Sequence, residues 1–258
     1  MTTFLLFKVH TLYLKVKAVG WITLFHFYLN PLKKGKEIAC SCYGQTITIR
    51  QGSHDLWVAM QTLGVEFATL KSIFPADFNG IIIDAGGYIG TAALAFRAMY
   101  PNSRIISLEP STKNLQLLQK NVHGKHIEVL QLALGTKTGT VALSDPGDGE
   151  WSYTISTPAN FKHLTLETIP CTTIDEFKTT YLNHQEISIL KLDIEGAERD
   201  IFLSNSPALQ SVPVVVVELH ERLQPGTEQA FYAFNQGRYV LNNEGEKYIS
   251  LKATSYAH

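Results

Sequence analysis

Cysteine is scarce in this sequence, with three residues of this type among 258. Cys40, Cys42 and Cys171 are too few, and odd in number, to form a disulfide framework. Cys40 and Cys42 also lack the further pair of ligands that a structural zinc site requires. We therefore expect free thiols in a reducing compartment, which predicts a cytoplasmic location.

Net charge is equally low. The formal charge of −1 provides no overall field to attract nucleic acid. Six lysines against Glu37 give +5 within residues 1–38, and the total of −1 then leaves −6 for the remainder. With an acidic body and no basic stripe, binding or modification of a nucleic acid is not expected.

A long uncharged run is missing too. A membrane-spanning helix needs about 20 apolar residues, but Lys8, Lys15 and Lys17 interrupt the apolar N-terminal segment. We expect no transmembrane segment, and the segment has neither the charge order nor the cleavage site of a signal peptide. It favours amphipathic helices that cover the core or a partner subunit, as in a homo-oligomer; weak docking to a membrane surface is the alternative.

From residue 80 onwards the chain alternates regularly between strands and helices. Short runs rich in β-branched residues lie at 81–84, 104–108, 127–132, 187–193 and 213–219. Apolar stripes at helical spacing fall in 91–100 and 112–122, between the first three runs. This rhythm predicts βαβ units, and hence an α/β fold with a mostly parallel sheet.

Other segments depart from this rhythm. Residues 133–186 are rich in turn formers, and we interpret them as a hairpin and loop inserted over the sheet, with one strand at 140–143. Residues 238–252 predict a terminal hairpin. We divide the chain into an N-terminal extension of helices and a hairpin, 1–75, and a main domain, 76–258.

A glycine turn, D-A-G-G-Y-I-G, begins at Asp84. It matches neither the G-x-G-x-x-G fingerprint nor a P-loop, which argues against a nicotinamide-dependent dehydrogenase. Asp84 would repel a pyrophosphate but attract a cationic head, and Glu109 would accept hydrogen bonds from ribose hydroxyls. S-Adenosylmethionine has both features, and Gly86, Gly87 and Gly90 would let the backbone approach it closely. The alternative is a plain strand–helix turn with a capping aspartate.

These residues resemble the FkbM-type family of class I S-adenosylmethionine-dependent methyltransferases. The resemblance runs from about residue 80 to 220 and includes IDAGGYIG, SLEPS, LALG, IPCTTIDEF, ILKLDIEGAERDIF and VVVVELH. It implies a Rossmann-like, seven-stranded sheet with helices on both faces, and most often methylation of a hydroxyl oxygen. It also implies that Asp84, Gly86, Gly90 and Glu109 bind the cofactor. To these we add Gly87, Tyr88, Pro110, Ala133 and Asp193 as further candidates for cofactor binding. Substrates in the family range from sugars to polyketides, so the acceptor stays open.

The fourth and fifth strands of the main domain carry the catalytic candidates. Asp193 ends one strand, Glu195 follows it, and Glu218 and His220 share one side of the other. We expect Asp193, His220 or Glu195 to take the proton from an attacking hydroxyl during in-line methyl transfer. Asp193, Glu218 and His220 also form a candidate site for a divalent metal. The alternatives are that Glu195 and Glu198 stabilise a helix N-terminus and that His220 has a structural role.

Aromatic residues in the inserted loop are candidates for substrate binding. Trp151, Tyr153 and Thr154 would contact a sugar or ring substrate, unless the aromatic rings pack against the sheet. We therefore predict a methyltransferase acting on a hydroxyl of a small molecule, a glycan or a natural product. The competing interpretation is a non-catalytic methyltransferase-like protein that uses its N-terminal helices at a membrane surface or on a partner.

Overall fold

The computed structural model describes residues 17–20, 35–147, 149–155, 164–242 and 247–253. In chain order the elements are β1 (Glu37–Cys42), β2 (Gln45–Arg50), α1 (Asp55–Thr62), a 3-10 helix (Ala68–Ser72), β3 (Ile81–Ala85), α2 (Thr91–Met99), β4 (Arg104–Leu108), α3 (Thr112–Val122), β5 (Ile127–Leu130), β6 (Ala133–Leu134), β7 (Gly139–Asp145), β8 (Leu164–Thr172), α4 (Ile174–Leu182), β9 (Ile187–Leu192), α5 (Glu198–Leu203), α6 (Pro207–Ser211), β10 (Val214–Glu218), α7 (Thr227–Phe234), β11 (Arg238–Asn242) and β12 (Lys247–Lys252).

Seven strands form one central sheet in the order β11-β12-β10-β9-β3-β4-β5. The five strands from β10 to β5 run parallel, whereas β12 is antiparallel to both of its neighbours. The predicted α/β fold with a mostly parallel, seven-stranded sheet is therefore confirmed. All five strand runs fall on observed strands, and Ser111 caps α3 by accepting a hydrogen bond from the N–H of Asn114.

The central strands are buried on both faces because helices cover each side. All five residues of β3 are buried. Ile83 packs in one core cluster with Phe177 of α4, and Ile82 packs in another with Phe96 of α2. Successive side chains of a strand point to opposite faces, so β3 contributes to both layers. These layers hold the carboxyl ends of β3, β4, β9 and β10 at one edge.

A second sheet, ordered β6-β8-β7, occupies the segment that we interpreted as a hairpin and loop. β7 and β8 pair antiparallel, as a hairpin requires. However, β8 is nine residues long and α4 follows it, and neither was expected. The missed signal for α4 is a capping pattern, Thr173 three residues before Glu176, in which the Thr173 hydroxyl accepts from the Glu176 N–H.

The described part of the extension packs against the main domain. β1 and β2 form a hairpin that contacts α3, where Asn121 bonds to both the N–H and the carbonyl of Thr48. Ala18 and Val19 are buried in one hydrophobic cluster with apolar residues of this hairpin and of α3. The amphipathic helices expected elsewhere in 1–34 lie outside the described residues. Within the described ranges, no helix combines the length and the apolar character that crossing a membrane requires.

All three cysteines are buried and free, as the sequence predicts. Burial raises the pKa of Cys40 to about 11 and that of Cys42 to about 12. The thiols therefore stay protonated and serve as small apolar groups in the core.

Candidate active site

A cavity of about 760 Å³ opens at the carboxyl edge of the central sheet. Residues at the ends of β3, β4, β9 and β10 line one side of it. Its polar lining consists of His54, Gln61, Thr62, Glu66, Tyr88, Glu109, Asn114, Glu150, Asp193, Glu195, Glu218 and Lys247. Among these described residues six are acidic and Lys247 is the single lysine or arginine, so the cavity attracts cations and hydroxyl donors.

The glycine turn between β3 and α2 leaves almost no room for side chains. Gly86 has a φ of +80°, and a Cβ there would lie 1.8 Å from the carbonyl oxygen of Asp193. A Cβ on Gly87 would lie 2.3 Å from Oγ of Ser107. Gly86 lines the cavity, whereas Gly87 and Gly90 do not. Those two glycines instead allow the turn to pack closely on β4 and α3.

Asp84 lies behind this turn and does not line the cavity. Its buried carboxylate accepts a hydrogen bond from Oγ of Ser107 at 2.7 Å and lies 3.1 Å from Nζ of Lys191. Lys191 also donates to the carbonyl of Gly86 at 2.8 Å. Burial opposes the charge of Lys191, but Asp84 and Asp193 outweigh it and raise the pKa of the amine. The charge of Asp84 is thus balanced by Lys191 inside the protein, and the glycine turn lies between Asp84 and the cavity.

Glu109 lines the cavity at the end of β4, together with Pro110 and Ala133. Its carboxylate accepts hydrogen bonds from the N–H of Tyr88 at 2.7 Å and of Ser111 at 2.9 Å. Burial raises the pKa of Glu109 to about 7, although both bonds oppose this. Each carboxylate oxygen has more than one acceptor position, so the group can still accept hydrogen bonds from a pair of ligand hydroxyls.

Helix α1 and the residue before it form a wall of the cavity that sequence reasoning missed. His54, Trp57, Val58 and Gln61 recur at helical spacing and all line the cavity. The Trp57 side chain is half exposed there. Apolar residues at this spacing usually indicate core packing, and the lining role follows only from the position of α1 over the sheet edge.

A buried network fixes α1 to the glycine turn. The guanidinium of Arg50 donates to both carboxylate oxygens of Asp55, at 2.9 and 2.8 Å, and to Oδ1 of Asn114 at 2.9 Å. The hydroxyl of Tyr88 donates to Asp55 as well. The extension, the glycine turn and α3 therefore hold one another in place beside the cavity.

The ends of β9 and β10 bring several charged side chains together. Asp193, Glu195 and His220 each offer one potential ligand atom, and these atoms lie within 4.8 Å of one another. Lys247 lies 2.9 Å from Oδ2 of Asp193 and donates to Glu218. Burial opposes ionisation of Asp193, but the nearby lysines and His220 lower its pKa below the ordinary value. Burial raises the pKa of Glu195 to about 7.

His220 lies behind these acids and does not line the cavity. Its Nδ1 is 2.9 Å from Oε1 of Glu198, which is fully buried and accepts the N–H groups of Ile194 and Gly196. Burial opposes the charge of His220, but Glu198 and Glu195 raise its pKa well above the ordinary value. Glu198 therefore anchors His220, a role that goes beyond stabilising the N-terminus of α5.

Only two of the three residues predicted to bind substrate, Trp151 and Tyr153 but not Thr154, line the cavity. Trp151 and Tyr153 line the cavity, and the ring of Trp151 packs edge-on against His54 at 5.5 Å. The indole N–H of Trp151 is buried without an acceptor in the described part of the chain. Thr154 does not line the cavity; its hydroxyl donates to the backbone carbonyl of Glu195. Thr154 thus positions Glu195, which has a φ of +55° that is unusual for a residue with a side chain.

Comparisons with known proteins complete this picture. Methyltransferase 1 of Beauveria bassiana is 28% identical over 147 residues, which make up 50% of this chain and 58% of that protein. Hexuronic acid methyltransferase AglP of Haloferax volcanii is 23% identical over 188 residues, 72% of this chain and 74% of that protein. The crystal structure of methyltransferase FkbM from Methylobacillus flagellatus KT aligns with 67% of this chain and 43% of its own, at 14% identity and a TM-score of 0.46.

The chain thus spans less than two thirds of the Beauveria protein and of the Methylobacillus chain. The methyltransferase FkbM domain model matches residues 84–248, which is more than half of the chain. The match includes the glycine turn, the acidic residues at the ends of β4, β9 and β10, and Lys247. This chain therefore belongs to the FkbM family of methyltransferases.

Proposed function

We propose that this chain is an S-adenosylmethionine-dependent methyltransferase that transfers the methyl group to a hydroxyl oxygen of a small molecule, sugar or natural product. Family membership supports methyl transfer. The observation that carries the rest is that Glu109 and the acidic edge formed by Asp193 and Glu195 open into the same cavity. One carboxylate suits a ribose, and the other two suit a cationic methyl donor and a reacting hydroxyl.

The cofactor half of the cavity lies along β3 and β4. Gly86 and Tyr88 provide a close backbone surface, Glu109 accepts the ribose hydroxyls, and Pro110 and Ala133 supply apolar contacts. The acidic lining favours the sulfonium and ammonium of the donor. Asp84 contributes indirectly in this proposal, since its ion pair with Lys191 fixes the carbonyl of Gly86.

Methyl transfer requires the acceptor oxygen to attack the methyl carbon in line with the departing sulfur, and the hydroxyl proton must leave. Glu195 suits proton removal best, because it lines the cavity and burial raises its pKa to about 7. Asp193 has a lowered pKa, and it suits orientation of the donor or the hydroxyl. The raised pKa of His220 keeps that residue protonated in the metal-free state, so it does not serve as the base.

A carbohydrate acceptor is supported by the aromatic walls, Trp57, Trp151 and Tyr153. One relative bears the name hexuronic acid methyltransferase, which agrees with a sugar. The acidic lining disfavours a free uronate in the metal-free cavity, because Lys247 is already paired with Asp193 and Glu218. We therefore rank neutral glycosides first among acceptors.

Calorimetric titration of S-adenosylhomocysteine into the full chain tests the cofactor. Wild type should bind, and Glu109→Gln should bind about tenfold more weakly or worse, because a charge-assisted pair of hydrogen bonds is lost. Glu128→Gln is the matched control, since Glu128 is exposed and pairs with Arg104 near the start of β4. Folded wild type that does not bind would overturn the proposal.

Neutral glycosides, free uronates and aliphatic alcohols, each incubated with S-adenosylmethionine and followed by mass spectrometry, test the acceptor. The proposal expects methylated oxygen, with the turnover number lower in Glu195→Gln. Methylation on nitrogen or carbon alone would contradict it.

A further inference from the structure

Glu198, on the side of His220 away from the cavity, fixes the orientation of the imidazole ring. Its Nδ1 lies 2.9 Å from Oε1 of Glu198, whose two oxygens also accept the N–H groups of Ile194 and Gly196 at 2.9 Å each. Because Glu198 is an acceptor that is fully buried and held by backbone donors, Nδ1 carries a proton. Without a cation His220 is protonated, so binding of a cation would displace the Nε2 proton and use the Nε2 lone pair on the side away from Glu198.

Three carboxylates face Nε2. Nε2 lies 3.4 Å from Oε2 of Glu195, 3.6 Å from Oε1 of Glu218 and 3.8 Å from Oδ1 of Asp193. The His220 side chain is only 10% exposed, and its Nε2 has no hydrogen-bond partner. These separations exceed the roughly 2.7–3.2 Å of a hydrogen bond. The distance to Glu195 equals the separation of two ligand atoms around one ion, since two bonds of about 2.1 Å at a tetrahedral angle place their ends about 3.4 Å apart, and the other two distances are a few tenths of an ångström longer.

The lysine beside the cluster leaves these atoms available. Lys247 contacts Oδ2 of Asp193 and Oε2 of Glu218, whereas the opposite oxygens, Oδ1 and Oε1, face Nε2 of His220. Lys191 also approaches Asp193 through Oδ2, so both lysines leave Oδ1 of Asp193, Oε1 of Glu218 and the carboxylate of Glu195 for a divalent cation. Glu195 completes the group from a backbone conformation with a φ of +55°, held by the hydroxyl of Thr154.

We propose that Asp193, Glu195 and His220 bind a divalent cation at the wall of the cavity, with Glu218 near enough to ligate it directly or through water. Glu198 is then the positioning residue of a carboxylate–histidine–metal arrangement. An all-oxygen site is typical of Mg²⁺ or Ca²⁺, whereas a site with one imidazole and several carboxylates favours Mn²⁺ or a similar transition-metal ion. The role of this cation in catalysis rests on the proposed methyl transfer. A cation here would bind the acceptor hydroxyl and lower its pKa, and Glu195 would then act as a ligand of the cation rather than as the base. The cation would also bind the carboxylate of a uronate.

Titration of the cofactor-free full chain with Mn²⁺, followed by the electron paramagnetic resonance signal of the free ion, tests the site. Wild type should bind one equivalent. His220→Ala and Glu195→Gln should abolish binding, and Glu198→Gln should weaken it about 10–100-fold. Glu128→Gln should bind like wild type, and circular dichroism identifies any variant that does not fold.

Folded wild type that binds neither Mn²⁺, Zn²⁺ nor Mg²⁺ would overturn the assignment, and so would binding that survives in both folded His220→Ala and folded Glu195→Gln. Calorimetry with S-adenosylhomocysteine on the same samples separates the two proposals. Cofactor binding without metal binding overturns only the metal site, whereas metal binding without cofactor binding supports the site and overturns the proposed methyl transfer.

Discussion

Lys191 and Asp84 lie directly opposite each other on the neighbouring parallel strands β9 and β3, and Nζ of Lys191 is 3.1 Å from Oδ1 of Asp84. Their side chains are 3% and 0% exposed. The pair is therefore buried within the sheet, and Asp84 directly precedes Ala85, which lines the cavity. It explains why a buried aspartate can precede the glycine turn without lining the cavity: Lys191 balances its charge and also donates to the carbonyl of Gly86.

Removing one partner of this pair should be costly, because the other charge remains buried. Lys191→Met should lower the free energy of unfolding by about 3–5 kcal/mol. The double variant Asp84→Asn with Lys191→Met should recover part of that loss, since no unpaired charge remains. Urea denaturation of both single variants and the double variant measures the coupling. A double variant whose loss equals the sum of the two single losses would contradict the direct pairing.

The glycine turn makes a second stability prediction. Gly86→Ala should lower the free energy of unfolding by about 2–5 kcal/mol, because a left-handed conformation costs about 1–2 kcal/mol and overpacking about 1–3 kcal/mol. Gly124→Ala is the matched control: Gly124 has a φ of +71° but nothing within 4 Å of an added Cβ. The control should show only the conformational cost. Equal losses in the two variants would mean that the turn relaxes away from the carbonyl of Asp193.

The network around Asp55 predicts that the extension supports the cavity. Asp55→Ala would leave Arg50 buried without its bidentate partner, and it should cost about 3–5 kcal/mol. It should also weaken binding of S-adenosylhomocysteine, because Tyr88 loses the acceptor of its hydroxyl. Glu37→Ala is the control on the same hairpin, since its exposed pair with Lys120 should contribute less than about 1 kcal/mol. Unchanged cofactor affinity in a folded Asp55→Ala variant would separate the extension from the site.

The sequence predicts the central sheet well because its strands are buried on both faces, which requires continuous β-branched runs such as Ile81–Ala85. It predicts the acids at the strand ends for the same reason, since polar residues stand out at the end of an apolar run. β8 was missed because polar and apolar residues mix along it, and Pro170 interrupts the pattern.

The part of the site that could not be predicted depends on contacts between distant segments. Lys247 reaches Asp193 across 54 positions, because β12 lies beside β10 in the folded sheet. The lining face of α1 has the spacing of an ordinary core face, so only its location distinguishes it. Glu198 looked like a helix-terminal acid, and its grip on His220 requires β9 and β10 to be neighbours.

The raised pKa of Glu109 leads to a pH dependence of cofactor binding. Burial raises this pKa to about 7 in the free protein, and ribose hydroxyls would donate to the ionised form. Binding therefore favours loss of the proton, so the affinity for S-adenosylhomocysteine should rise with pH up to about 7 and level off above it. By pH 6 the affinity should be about tenfold below the plateau, since each pH unit below the pKa contributes at most a factor of ten. For folding the sign is opposite: stability contributed by protonated Glu109 is present at low pH and declines as the pH rises through 7.

Calorimetry from pH 5.5 to 8 on wild type and Glu109→Gln isolates this residue, because the other titrating groups of the cavity are common to both. A slope that persists unchanged in Glu109→Gln would assign the dependence elsewhere in the cavity, whereas its loss would identify Glu109 as the ribose acceptor.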